Sequence, residues 1–215
     1  MSATSDTRSK AEGHAKTDEP PSMDHGRSEG RLMYEESIDH FADFAQGKVN
    51  TLKHNPVGFF VGAMMAGAYV GFGIILIFIL GSDAEPQSKK LIMGATFGIA
   101  LTLVVFAGSE LFTGHNMYMP LAWMKKRIKG RDLAAVWATV WVGNMVGSAF
   151  LAGLFVLGGG AGIVDDSGSF LNQVASAKMH APAVELLARG MLCNWLVCLA
   201  LWMSARTSND AAKCI

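Results

Sequence analysis

The chemistry available to this chain has to come from a few polar residues set in apolar sequence. The densest group is Gly108-Ser109-Glu110-Leu111-Phe112-Thr113-Gly114-His115-Asn116, which places a carboxylate, two hydroxyls, an imidazole and an amide in one short run. Asn144 sits in another apolar run; a pore role is open to it, although a helix-to-helix hydrogen bond is the commoner use of a buried Asn. Glu185 and Arg189 are four apart, in the order that favours an ion pair on one helix face. A pair of this kind inside a membrane is usually structural and flags a cavity wall. His115 is the histidine nearest the break and is read as a loop residue; a metal role for His14 and His25 has no support. Cys193 and Cys198 are five apart, which does not bring both to one helix face as a metal pair would require, so they read as small packing residues. No nucleophile–base pair and no metal-ligand cluster is visible. The reading is therefore not an enzyme, with no metal and no cofactor.

The elements that must position the polar group are membrane helices. Residues 91–107 carry no charge, and 17 residues at about 1.5 Å each reach roughly 25 Å, a little short of a hydrocarbon core. The break after residue 107 therefore falls within or near the membrane. Non-helical backbone at that depth is tolerated only where protein buries it or where it lines a watery cavity. Broken helices are a common way of building a transport site near the midplane. The alternative is a plain helix followed by a cytoplasmic loop. The second apolar piece, residues 117–124, speaks against it, because Met117, Tyr118, Met119, Leu121 and Trp123 would then be wasted in solvent.

Three further spans are expected. Residues 57–80 follow Asn55-Pro56, a favourable helix start, and contain small residues four apart at Gly62/Ala66 and Gly67/Gly71, which let backbones approach closely. Residues 133–157 carry Trp137 and Trp141 near one end and a second small-residue face around Gly143 and Gly147. Residues 182–203 form the fourth. Lys125, Lys126, Arg127, Lys129 and Arg131 mark the loop before the third span as cytoplasmic, which puts the N-terminus on the same side. Ahead of the spans, residues 31–54 repeat Leu32, Ile38, Phe41, Ala45, Val49 and Leu52 at helical spacing, an amphipathic interfacial helix. Its Phe41 and Phe44 either dip towards lipid or a neighbouring subunit, or pack on the protein's own base. Residues 1–30 are polar and mixed in charge, the composition of a disordered tail.

The totals agree. Of 215 residues, 51% are hydrophobic and 17% charged, with the charge concentrated in the first 55 residues and short loops. The formal net charge of +0 gives no reason to expect a nucleic-acid partner, because phosphate binding needs concentrated Lys and Arg. Of the three cysteines, Cys193 and Cys198 sit inside an apolar run and suggest no disulfide framework, and no cleavable signal peptide is expected, because residues 1–30 have no apolar core region.

AGSELFTGHNM, with GAYVGFGIILIF before it and GNMVGS and CNWLVCLALWMSARTS after it, resembles the formate/nitrite transporter family over about residues 55–215. The resemblance implies an all-α membrane protein on an aquaporin-like plan with a broken second span, assembled as a homopentamer in a bacterial inner membrane. It further implies a channel or transporter for a small monovalent anion, nitrite or its conjugate acid, with formate or hydrosulfide as alternatives. In the family the positions matching Phe97, Leu101, Leu111 and Phe112 line apolar slits around a central chamber. Thr113 matches a hydroxyl residue that hydrogen-bonds the permeant, Lys178 a lysine that draws in anions at the external vestibule, and Asn194 a polar residue facing the pore. The family's chains carry two further membrane segments, including one with a histidine beside a glutamate. This sequence stops before them, so the expected fold is C-terminally truncated. A non-conducting fragment and a membrane assembly subunit stand as the other readings.

Overall fold

The computed structural model describes residues 23–160, 168–207 and 209–213. The elements in order are α1 (Met23–His54), α2 (Pro56–Asp83), α3 (Lys89–Ala107), α4 (Phe112–Met124), α5 (Gly130–Phe155, continued by a wider turn over Val156–Gly160), α6 (Gly168–Met179), α7 (Ala183–Ala205) and α8 (Asp210–Lys213). There is no strand among the described residues. Residues up to Glu36 and Ser37–Ile215 form two separate units by their internal contacts. Residues 1–22 of the expected tail, residues 161–167 between the third and fourth expected spans, and Cys214 lie outside the described residues. α1 starts at Met23, inside the stretch expected to be tail. Extending an existing helix by a turn or two costs far less than nucleating one.

Four helices are long and apolar enough to cross a membrane: Pro56–Ser82, Lys89–Ala107, Gly130–Gly160 and Ala183–Ala205. Their most apolar windows have mean hydropathies of 2.3, 2.0, 1.8 and 1.6. α2 begins as its sequence suggests. Asn55 caps it by accepting from the Gly58 N–H (2.9 Å), and Pro56 occupies the first turn.

The closest packing is between α2 and α5, and the small residues allow it. A Cβ added at Gly147 would sit 1.8 Å from the Met64 carbonyl oxygen, and one at Gly67 would sit 2.0 Å from the Asn144 carbonyl oxygen. Any side chain there would force the helices apart. Between membrane helices the driving force is close van der Waals contact and interhelical hydrogen bonding, since lipid is as apolar as the side chains. Gly94 and Gly98 on α3 repeat the small-residue spacing but face no neighbouring atoms within 4 Å.

The core lies where α1, α4 and α5 meet. Phe41, Ala42, Ala45 and Val49 of α1 pack with Phe59, Tyr118, Met119, Ala122, Val136 and Val140. Phe41 stacks on Trp202 of α7 (centroids 5.3 Å), and Phe44 meets Tyr118 edge-on (5.2 Å). Of the two placements open for α1, packing on the protein's own base is the one found. Its acidic face is tied to the basic loop by Asp39–Lys125 (2.9 Å), Asp43–Arg127 (3.6 Å) and Lys53–Asp132 (2.8 Å). α1 and that loop therefore share one side of the helical bundle.

Candidate functional site

The break in the second span is shorter than the sequence suggests. α3 ends at Ala107, Gly108 adopts a left-handed conformation (φ 70°) that ends the helix at little steric cost, and α4 restarts at Phe112. Only residues 108–111 are non-helical, so Thr113, Gly114, His115 and Asn116 are helical rather than loop residues. Asn144 explains why so short a break suffices. Its Oδ1 accepts from the Phe112 N–H (2.9 Å), and its Nδ2 donates to the carbonyls of Ala63 and Glu110 (2.8 Å each). The Glu110 N–H donates to the Gly62 carbonyl (3.2 Å). Helix ends leave main-chain groups unpaired, and in lipid each must find a partner inside the protein. Asn144 is thus a clamp on the break, the helix-to-helix role.

Beneath the break runs a chain of ionisable groups. Lys48 of α1 is bonded to Glu110, whose other oxygen lies 3.1 Å from His115 Nε2. His115 is fully buried, with Phe59 and Tyr118 rings around it at 6.2 and 4.8 Å and its carbonyl accepting from Trp137 Nε1 (3.3 Å). The loop reading of His115 is corrected: it belongs to α4 and is the most deeply placed imidazole among the described residues. Sequence reasoning missed Lys48 and Glu110. A signal existed, since Lys48 lies seven residues after Phe41 and three after Ala45, on the face that α1 buries.

A cleft of about 720 Å³ opens between α4 and α7. Phe112, Thr113 and Asn116 line it from α4; Leu187, Cys193 and Asn194 are among those lining it from α7. Thr113 keeps a buried hydroxyl oxygen with no hydrogen-bond partner. Asn194 is held by Asn116, whose Nδ2 donates to its Oδ1 (3.0 Å), and its own Nδ2 donates to Cys198 Sγ (3.3 Å). Cys198 in turn donates to the Thr113 carbonyl (3.5 Å). Cys198 is therefore more than a packing residue, and Cys193 is exposed on the cleft wall.

The structure thus brings together three of the sequence-expected pore residues: Phe112, Thr113 and Asn194. Phe97 and Leu101 lie one turn apart on α3, Leu111 caps α4, and Lys178 is exposed in the last turn of α6; none of the four lines this cleft. Glu185 and Arg189 form their ion pair (2.8 Å) with both side chains exposed. Among the described residues no group of three His, Cys, Asp or Glu is placed to hold a metal ion.

Four apolar crossings, one of them continued by a clamped break and a half-length helix, define a multi-pass α-helical membrane protein with an interrupted span. The chain belongs to the formate/nitrite transporter family, whose model matches residues 35–215. It is 49% identical over 179 residues to a nitrite transporter, NirC, of Salmonella typhimurium, and equally to that of Escherichia coli. Each match covers 83% of this chain and 66% of the relative, so the chain spans just under two thirds of those proteins. A probable formate transporter of Methanothermobacter thermautotrophicus is 35% identical, over 70% of this chain and 62% of its own. Among solved structures, a formate/nitrite-family ion channel superposes with a TM-score of 0.78 at 47% identity, covering 83% of this chain and 72% of its own. A pentameric formate channel with formate bound superposes at 0.59 and 28%, covering 73% and 63%. These relatives are named as transporters and channels, not enzymes.

Proposed function

We propose that this chain forms a channel path for a small monovalent anion, with nitrite as its permeant. The observation that carries the reading is the cleft between α4 and α7, apolar in most of its lining, with a buried, partnerless Thr113 hydroxyl at its wall. A buried hydroxyl left unpaired costs roughly 1–3 kcal/mol, so a permeant that accepts its hydrogen bond relieves a cost the empty path bears. Nitrite rather than formate is supported by the 49% identity to nitrite transporters against 35% to the formate transporter.

In this reading Phe97, Leu101, Leu111 and Phe112 form the apolar constrictions. A bare anion pays several kcal/mol to enter a dry neck, and a weak acid avoids much of that by crossing as its neutral conjugate. Lys178, at the exposed end of α6, raises the local anion concentration at the entrance. In the same reading α1 and the N-terminus lie on the cytoplasmic side of a bacterial inner membrane, which the basic loop at 125–131 supports through the excess of Lys and Arg in cytoplasmic loops. The assembly is a homopentamer, as named for the formate channel neighbour.

Nitrite uptake into proteoliposomes carrying the full chain tests the reading. Thr113→Val should lower uptake by at least about tenfold and Thr113→Ser should retain it, as expected for losing one hydrogen bond to a charged group at about 1.5–3 kcal/mol. Vesicles no more permeable to nitrite with the protein than without it would remove the function.

A further inference from the structure

The turn between α4 and α5 carries more positive charge than its contacts use. The three carboxylates bonded around it are each matched: Asp39 by Lys125, Asp43 by Arg127 and Asp132 by Lys53. Lys126, Lys129 and Arg131 are exposed, and among the described residues no carboxylate lies within ion-pair distance of any of them. Lys129 acts on Asp132 only at longer range. Lys126 also sits on an unfavourable backbone. Its φ is 59°, and no other non-glycine among the described residues has a positive φ. The Lys126 N–H donates to the Trp123 carbonyl and the Arg127 N–H to the Ala122 carbonyl (2.9 Å each), the two bonds that close a helix on a left-handed residue. Glycine takes that position at no steric cost and lysine does not, so the side chain has a use that glycine could not serve. Beside it, Trp123 and Met124 leave 55% and 73% of their surface uncovered. The Trp123 indole lies against the start of α5, where a Cβ added at Gly130 would sit 3.6 Å from its Nε1.

We propose that Lys126, Arg131 and Trp123 form a binding site for the headgroup of an anionic phospholipid. The two cations take its phosphodiester, and Trp123 with Met124 takes the glycerol and the upper acyl chain. The site is independent of what the chain conducts. It needs only that the turn lies at a membrane surface, and α5 begins its crossing there, at Gly130. Basic clusters next to a crossing attract anionic lipid, and tryptophan settles at headgroup level. Arginine grips a phosphodiester through two N–H groups at once, and lysine adds a point charge. A lipid fits the patch better than free phosphate does, because inorganic phosphate would leave the exposed Trp123 and Met124 in water. Lys125 and Arg127, spent on α1, hold the turn in place around Lys126.

The test is native mass spectrometry of the full chain in detergent, titrated with phosphatidylglycerol and, in parallel, with zwitterionic phosphatidylcholine. The parent should hold phosphatidylglycerol at least about fivefold more tightly. Lys126→Gln and Arg131→Gln should each weaken phosphatidylglycerol about fivefold, the effect of one basic side chain at an anionic surface, and leave phosphatidylcholine within about twofold. Lys126→Gly separates charge from fold. It should weaken phosphatidylglycerol by the same factor while the melting temperature holds or rises, because glycine relieves the backbone. Lys90→Gln removes a charge one crossing away, at the start of α3, and should change neither lipid. Fractional quenching of tryptophan fluorescence by a brominated phosphatidylglycerol should fall in Trp123→Phe. Equal affinity for the two lipids, unaltered phosphatidylglycerol binding in Lys126→Gly, or an equal loss in Lys90→Gln would overturn the site. Displacement of the lipid by millimolar inorganic phosphate would overturn it too, since the cations would then serve a soluble anion.

Discussion

Replacing Asn144 by Ala is the sharpest test of whether the interrupted span is a built feature. The substitution removes three hydrogen bonds of 2.8–2.9 Å and leaves their main-chain partners, the Phe112 N–H and the carbonyls of Ala63 and Glu110, in place. Ala63 and Glu110 are both buried, so water cannot substitute freely. Interhelical hydrogen bonds measured inside membranes average about 0.6 kcal/mol, whereas a buried group left unpaired in a protein interior costs roughly 1–3 kcal/mol. For three groups the loss then lies between about 2 and 9 kcal/mol, and even the lower figure corresponds to a factor of about 30 in the opening equilibrium. Hydrogen exchange of the detergent-solubilised protein should therefore show the Phe112 amide exchanging at least about 30-fold faster, with little change in the middle of α2. Asn144→Asp is the companion variant: it keeps an acceptor for Phe112 but offers nothing to the two carbonyls, and it should also destabilise. If Asn144→Ala left Phe112 protection within twofold and the melting temperature unmoved, the break would be held by something other than this side chain.

Glu110→Gln should lower stability by about 1–3 kcal/mol, below the figure for a fully buried pair because the Lys48 side chain keeps 19% of its surface. Adding Lys48→Met should recover part of that loss, read as a positive coupling in a double-mutant cycle of thermal unfolding. Gly147→Ala, which brings a methyl group to 1.8 Å from the Met64 carbonyl, should lower the melting temperature markedly; Gly98→Ala on α3, with nothing within 4 Å, should not lower it. Equal effects at the two positions would mean that the α2–α5 approach is not what glycine serves. Lys178→Leu should reduce nitrite uptake most at low nitrite and low ionic strength, with the difference shrinking as salt screens the charge. Uptake unchanged under all of those conditions would remove Lys178 from the path.

The sequence by itself determined the elements that depend on local composition. Long apolar runs became α2, α3, α5 and α7, because a membrane helix satisfies its own backbone and needs only length and apolarity to be legible. Small residues four apart marked α2 and α5 as helices able to pack closely, but not their partners: Gly94 and Gly98 on α3 carry the same spacing with nothing within 4 Å. The position of the break after Ala107 was also readable, from glycine and polar residues following an apolar run too short to cross alone. What only the tertiary structure decided is which distant residues complete it. Asn144 reaches the break from 32 residues away, Lys48 reaches Glu110 across 62, and Asn116 meets Asn194 across 78. No periodicity records such pairings. Each arises because helices packed for shape and apolar contact bring a polar side chain opposite another, and in a region without water the two must satisfy each other.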